Sequence, residues 1–176
     1  MATIRTKERF GAPATRVWKY ITDADLLQRL GGCDAIEGIE GCAGGLFEEG
    51  AVREVRIGGR RIVERIINVR KGASLEVEVL YADGPIRQEY ERVDLIPFSS
   101  ACELVWTIRF RIKSRVFEGL LSQLVATIAG FRFRRLVRKL RVHVEAAEQL
   151  ARASLTTARA NPDMAGGIEP PLRSVS

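Results

Sequence analysis

From Ala51 to Lys113 apolar and polar residues alternate in blocks of roughly six to thirteen, each block closed by turn residues, and this period of two predicts β-strands. The pattern reads as strands over Ala51–Ile57, Arg60–Val69, Ser74–Tyr81, Arg87–Ile96 and Ala101–Lys113. Gly58-Gly59 is a two-residue hairpin signal, and Lys71-Gly72, Asp83-Gly84-Pro85 and Pro97–Ser100 supply the other turns. In the last strand Cys102, Leu104, Trp106, Ile108, Phe110 and Ile112 share one face, while Glu103, Thr107, Arg109, Arg111 and Lys113 share the other. Every connection is too short for a crossover helix, so the sheet is predicted to be an antiparallel meander with one apolar and one wet face.

The period then changes. Phe133, Leu136, Val137, Leu140, Val144, Ala147 and Ala151 form a single stripe at helical spacing, with Arg134, Arg135, Arg138 and Arg141 opposite. Just upstream, Phe117, Leu120, Leu121, Leu124, Ile128 and Phe131 also repeat helically, but their stripe points almost the other way. One straight helix cannot bury both, so a break or kink near Gly130, giving two segments with different headings, is the expectation.

Ahead of the meander, Thr3–Phe10 can form an opening strand, and Pro13 is pre-set for the first turn of a helix that carries Val17, Trp18 and Ile21. Thr22 or Asp23 can cap a second short helix with Leu26, Leu27 and Leu30, stopped by Gly31-Gly32. The glycine-rich stretch from Cys33 to Gly50 allows a short edge strand near Ala35–Ile39 and then a loop. Gly41, Gly44 and Gly45 lack the lysine and the strand-to-helix setting of a phosphate loop and are read as turn chemistry. These elements amount to an α+β chain: a curved antiparallel sheet of six to seven strands, two short helices after the first strand, and a long closing helix. Residues 1–152 are expected to form one domain and 153–176, where proline and glycine interrupt any period, a disordered tail.

A strongly twisted sheet of this size curls, and a helix laid across its concave side touches it along a line. The volume left beside the helix is a cavity unless bulky side chains fill it. At 176 residues and 46% hydrophobic, the chain can bury a real interior and still enclose such a space. Its walls, in the register drawn here, are Tyr81, Tyr90, Trp106, Phe110, Phe133, Val137 and Leu140.

Charge and candidate chemistry narrow the options. The net charge of +6 and pI near 9.6 raise the question of a polyanion, but acidic residues alternate with the basic ones and no aromatic-studded basic loop is present, so nucleic acid is not the expected partner. The arginine face of the helix allows transient contact with an acidic membrane surface. Cys33, Cys42 and Cys102 contain no paired spacing, and His143 is the sole histidine, so neither a metal nor another cofactor is expected. The same lone histidine, on the flank of the helix, leaves no serine or cysteine triad to propose. Met1–Phe10 lacks the apolar segment of a secretory signal, no apolar run reaches the ~20 residues of a spanning helix, and a cytoplasmic location is expected. Oligomeric state is not encoded in any of these signals.

The order strand, two short helices, meander, closing helix resembles the START-like (SRPBCC) superfamily with its helix-grip fold, in particular the bacterial polyketide cyclase/dehydrase and lipid-transport branch. The resemblance is carried by Ala12–Trp18 with Ile21-Thr22-Asp23, by Gly59–Ile66, by Tyr90–Pro97 and by Leu104-Val105-Trp106, and spans roughly residues 3–150. It implies a buried hydrophobic pocket between sheet and closing helix, used in different members for lipids, polyketides, hormones or aromatic compounds. By that resemblance a cyclase would rely on a few polar groups in the pocket, for which Glu64, Arg65, Tyr90 and Arg92 are candidates. Around Glu64 either Ile62, Glu64 and Ile66 or Val63, Arg65 and Ile67 could face inward. Binding of a hydrophobic small molecule or lipid is the leading expectation, with a cyclase or dehydratase and a module using the basic helix face as alternatives.

Overall fold

The computed structural model describes residues 2–84, 86–112 and 118–160. Seven strands form one antiparallel sheet: β1 (Ala2–Phe10), β2 (Ala35–Glu40), β3 (Val52–Ile57), β4 (Arg60–Arg70), β5 (Ser74–Ala82), β6 (Ile86–Phe98) and β7 (Ala101–Ile112). Helices α1 (Ala14–Ile21) and α2 (Ala24–Arg29) follow β1, and α3 (Glu118–Ala160) closes the chain. The spatial order β1-β7-β6-β5-β4-β3-β2 is a meander from β2 to β7, with β1 returning to the far edge beside β7. The periods predicted this order of strands and helices, and it is the helix-grip fold that the resemblance implied.

Local chemistry explains the joints. Gly58 and Gly59 both take positive φ, 58° and 73°, so the two-residue turn has the backbone twist that matches its strands. A loop of that length pins the register, placing Ile57 opposite Arg60 and Arg53 opposite Glu64. Asp23, one of the two candidate caps, accepts the Leu26 N–H through its side chain at 2.9 Å and starts α2. At Gly32 a Cβ would lie 2.9 Å from a Leu136 methyl and 3.1 Å from the Leu27 carbonyl oxygen, so a side chain there would have to push Leu136 aside where the turn after α2 presses against α3.

The core follows the predicted faces. Cys102, Leu104, Trp106 and Phe110 of β7 are buried, as are Leu136, Val137, Leu140 and Val144 of α3. Trp106 and Leu140 belong to one continuous cluster with Phe10, Val17, Leu26 and Ile66. Around Glu64 the open choice resolves in favour of Ile62, Glu64 and Ile66, which turn inward, while Arg65 and Ile67 are exposed.

Three expectations change. α3 runs unbroken through Gly130, with no division into two helices there. Of the upstream stripe, Ile128 and Phe131 are left in solvent, 56% and 67% exposed, while the side chains of Phe117, Leu120, Leu121 and Leu124 lie outside the described residues. Arg141 does not stand with Arg134, Arg135 and Arg138 in solvent; it lies beside the buried stripe and reaches back 2.8 Å to Glu8 of β1. Finally, the helix continues past Arg152 to Ala160, so 153–160 is helical, and the expected tail over 161–176 lies outside the described residues. Among the described residues no helix is long and apolar enough to cross a membrane.

Candidate functional site

α3 packs chiefly along β1, at one side of the concave face. The opposite part of that face, formed by β3, β4 and β6, is flanked by Leu27 of α2, by Gly31 and Gly32 of the turn that follows it and by Phe47. Between them lies a cavity of about 300 Å³. That volume is at the lower end of the ~300–1,000 Å³ found for small-molecule sites.

Its walls are mostly apolar, with Ile4, Leu27, Val55, Trp106, Phe110 and Phe133 among the lining residues. Phe133 meets the Trp106 ring edge-on, centroids 4.7 Å apart and planes at 88°, so helix and last strand share one aromatic wall. Exposed lining residues Gly31, Ile57 and Arg132 mark where the cavity meets solvent.

One corner is polar. Arg53, at 4% exposure, and Glu64, at 3%, face each other across the β3–β4 hairpin. Arg53 Nε donates to Glu64 Oε1 at 2.9 Å and Nη2 lies 2.8 Å from the same oxygen. Arg53 Nη1 donates to the Leu46 carbonyl at 3.3 Å, and the guanidinium stacks 4.3 Å over the Phe47 ring. Every nitrogen of this arginine is therefore engaged by the protein.

Glu91 completes the corner from β6. Trp106 Nε1 donates to its Oε1 at 2.7 Å and Gln88 Nε2 to its Oε2 at 3.1 Å. Burial pushes the Glu91 carboxyl up to about 7, the nearby negative charge of Glu64 adds to the rise, and Arg53 with the Trp106 and Gln88 hydrogen bonds pulls the other way. Glu91 is half-buried because it faces the cavity with protein around its other sides. An acid of this kind can hold or release a proton near neutrality, which is what general acid–base chemistry requires of it. Cys33 also lines the cavity, and burial raises its thiol to about 11. No group of three or more potential metal ligands occurs among the described residues.

The residues expected from the sequence divide into three groups. Trp106, Phe110 and Phe133 line the cavity, and so does Glu64. Val137 and Leu140 are fully buried in the core beneath it and do not form its wall. Tyr81 and Tyr90 are not walls. Tyr81 is 51% exposed with its hydroxyl 2.7 Å from Asp83, and Tyr90 carries Arg109 over its ring at 5.5 Å on the outer face. Tyr90 alternates with Glu91, Val93 and Leu95, which face inward, and a β-bulge between Gln88 and Tyr90 brings Gln88 to the inner face as well. Arg65 and Arg92 also face outward, pairing with Glu78 and with Glu76 and Asp94. His143 is exposed and meets the Tyr20 ring edge-on at 5.6 Å, away from the cavity.

Arg53, Gln88 and Glu91 are the polar lining residues that sequence reasoning missed. For two of them a signal existed. A two-residue turn at Gly58-Gly59 fixes Arg53 opposite Glu64, and Glu91 has the parity of the apolar Val93 and Leu95. Gln88 could not be found this way, because the bulge breaks the alternation before it.

Comparison with known proteins agrees with this architecture. The sequence profile of the family described as polyketide cyclase / dehydrase and lipid transport matches residues 1–145. No curated protein matches the chain. Among solved structures, the XoxI protein of Bacillus cereus is similar at a TM-score of 0.65 and 15% identity, covering 84% of this chain and 99% of its own. A Thermus thermophilus protein is similar at 0.64 and 17% identity, over 83% and 99%. A START superfamily protein from Mycobacterium smegmatis is similar at 0.64 and 14% identity, over 82% and 98%. At such identities the likeness is one of fold.

Proposed function

The chain belongs to the polyketide cyclase/dehydrase and lipid-transport family, and from that premise we propose that it binds a hydrophobic small molecule or lipid between the sheet and α3. The observation that carries this reading is the cavity of about 300 Å³, walled by apolar side chains and left open to solvent at one side. Such a site gains affinity by taking apolar surface out of water, and its few polar groups orient what enters. Its size favours a single chain or a small ring system over a lipid with two long tails. Mass spectrometry of small molecules released from the purified protein tests the proposal. An apolar compound recovered from the wild type and lost when Phe110 or Phe133 is enlarged to Trp supports it. A protein that emerges empty, and that also ignores a broad panel of apolar compounds, argues against it.

A second reading, a cyclase or dehydratase, is favoured by one observation: Glu91 and Glu64 bring two carboxyl groups to the same cavity. Glu91 is poised to exchange a proton with a bound carbonyl or hydroxyl, while Glu64 is held by Arg53. Turnover that disappears in Glu91→Gln while binding persists would support the catalyst; binding without turnover in the wild type supports the carrier.

The exposed apolar residues of α3 bear on exchange. Ile128 and Phe131 stand in solvent beside Arg132, Arg134, Arg135 and Arg138, a pairing of apolar and basic groups that suits transient contact with an acidic membrane. Flotation with anionic vesicles at low salt, lost in Phe131→Ser or on neutral vesicles, is the expected result.

A further inference from the structure

We propose that the cavity selects a neutral ligand whose polar end is a hydroxyl, an alcohol or a phenol, and rejects the carboxylates that a basic protein of this kind would be expected to attract. The inference rests on the binding role proposed above and names the chemical class of its ligand.

The argument is a count of charges and of hydrogen-bonding capacity in the polar corner. Among the described residues the only cation deep in the cavity is Arg53, and its charge is already matched by Glu64 at 2.8 Å. Its three nitrogens are held by Glu64 and by the Leu46 carbonyl, and Phe47 covers its flat face. A ligand carboxylate would have to break that pair, leaving one buried carboxylate without its partner. Glu91 adds a second carboxyl to the same corner, so an incoming anion meets like charge as soon as Glu91 ionises. Arg132 also lines the cavity, but it is exposed, and solvent screens its charge.

What remains for a ligand is an acceptor-rich surface. Among the described residues neither Glu64 Oε2 nor Gln88 Oε1 carries a hydrogen bond, whereas the donor groups Trp106 Nε1 and Gln88 Nε2 are both directed at Glu91. Glu91 itself titrates near neutrality, accepting when ionised and donating when protonated. A hydroxyl both donates and accepts, so it satisfies this corner in either state. An ester or ketone can only accept, and meets mostly acceptors. The basic charge of the whole chain is thus no guide to its ligand, because of the two described arginines that line the cavity Arg53 is already paired and Arg132 stands in solvent at its mouth.

Isothermal titration of the wild-type protein with decanol, methyl decanoate and decanoate at neutral pH tests the selection, since the three share one chain and differ in the head. Decanol is expected to bind at least tenfold more tightly than decanoate, with the ester between them. In Glu91→Gln the disadvantage of decanoate should shrink, because one of the two opposing carboxyl groups is gone. Decanoate binding as tightly as decanol overturns the inference and leaves the binding role standing. The ester equalling the alcohol overturns it too, by removing the hydroxyl's donated hydrogen bond from the argument. If none of the three binds, the binding role fails, and the selection fails with it.

Discussion

Arg53 and Glu64 lie directly across the β3–β4 hairpin from one another, 2.8 Å apart and almost wholly out of water. Two charges in such a place are not an economical way to hold a sheet together. Their mutual attraction is largely offset by desolvation, and a well-packed apolar pair of similar volume often does as well. The pair does keep the cavity polar at one end without leaving it charged.

The first prediction separates these roles. Glu64→Leu leaves Arg53 buried and unpaired and should destabilise the protein by roughly 3–5 kcal/mol, whereas the double change Arg53→Met with Glu64→Leu should recover most of that loss. Urea unfolding of the three proteins gives the comparison. A double variant as unstable as the single one would mean that the pair holds the fold through its geometry as well as its charge.

Glu91 sets a pH dependence of definite sign. Its folded value, pushed up to about 7 mainly by burial, lies above the ordinary 4.5. A carboxyl raised in this way contributes most to stability below its unfolded value, and the contribution is lost as pH rises through about 7. At about 1.4 kcal/mol per unit the loss amounts to roughly 3 kcal/mol by pH 8. Glu91→Gln stays neutral throughout, so it should match the wild type near pH 5 and exceed it in stability at pH 8. Chemical denaturation across that range measures the difference, and a constant gap would show that Glu91 is already ionised in the folded protein at pH 5.

The strands, both short helices and the gripping stripe of α3 were legible in the sequence because each reports burial through a period, and burial of Leu104, Trp106, Val137 and Leu140 is what the fold needs. Two kinds of information were not. A bulge shifts register without changing composition, so Gln88 lies on the same face as Glu91 although a simple alternating strand would put the two on opposite faces. Paired charges also imitate surface residues: Arg53 and Glu64 look like the wet face of a strand until the two-residue turn is used to set them opposite one another. The continuous α3 is a third case, since the sequence states that two stripes conflict but not that Ile128 and Phe131 of one of them are simply left in solvent.

Wall and floor of the cavity should respond differently to truncation. Leu140 is fully buried in the core and absent from the lining, so Leu140→Ala should lose about 2–5 kcal/mol of stability with little change in ligand affinity for the protein that remains folded. Phe133 is half-buried, lines the cavity and supports the Trp106 ring. Phe133→Ala should destabilise less than Leu140→Ala while altering which apolar ligands bind. Paired thermal unfolding and calorimetry would check both. Equal effects on binding would indicate that the walls have been wrongly separated from the core.

The two buried thiols offer an internal control for occupancy of the cavity. Burial raises both Cys33 and Cys102 to about 11, so at pH 8 on the order of one molecule in a thousand carries the reactive thiolate at either position. Both should therefore be alkylated slowly by iodoacetamide. Of the two, Cys33 lines the cavity, while Cys102 of β7 packs in the main core. A bound apolar ligand should slow the labelling of Cys33 further and leave Cys102 nearly unchanged, as followed peptide by peptide with mass spectrometry. Equal protection of both would point to a ligand that stabilises the whole domain against opening rather than one that fills this space. Protection of neither would place the ligand elsewhere, because Cys33 lines the same cavity as Val55, Trp106 and Phe133.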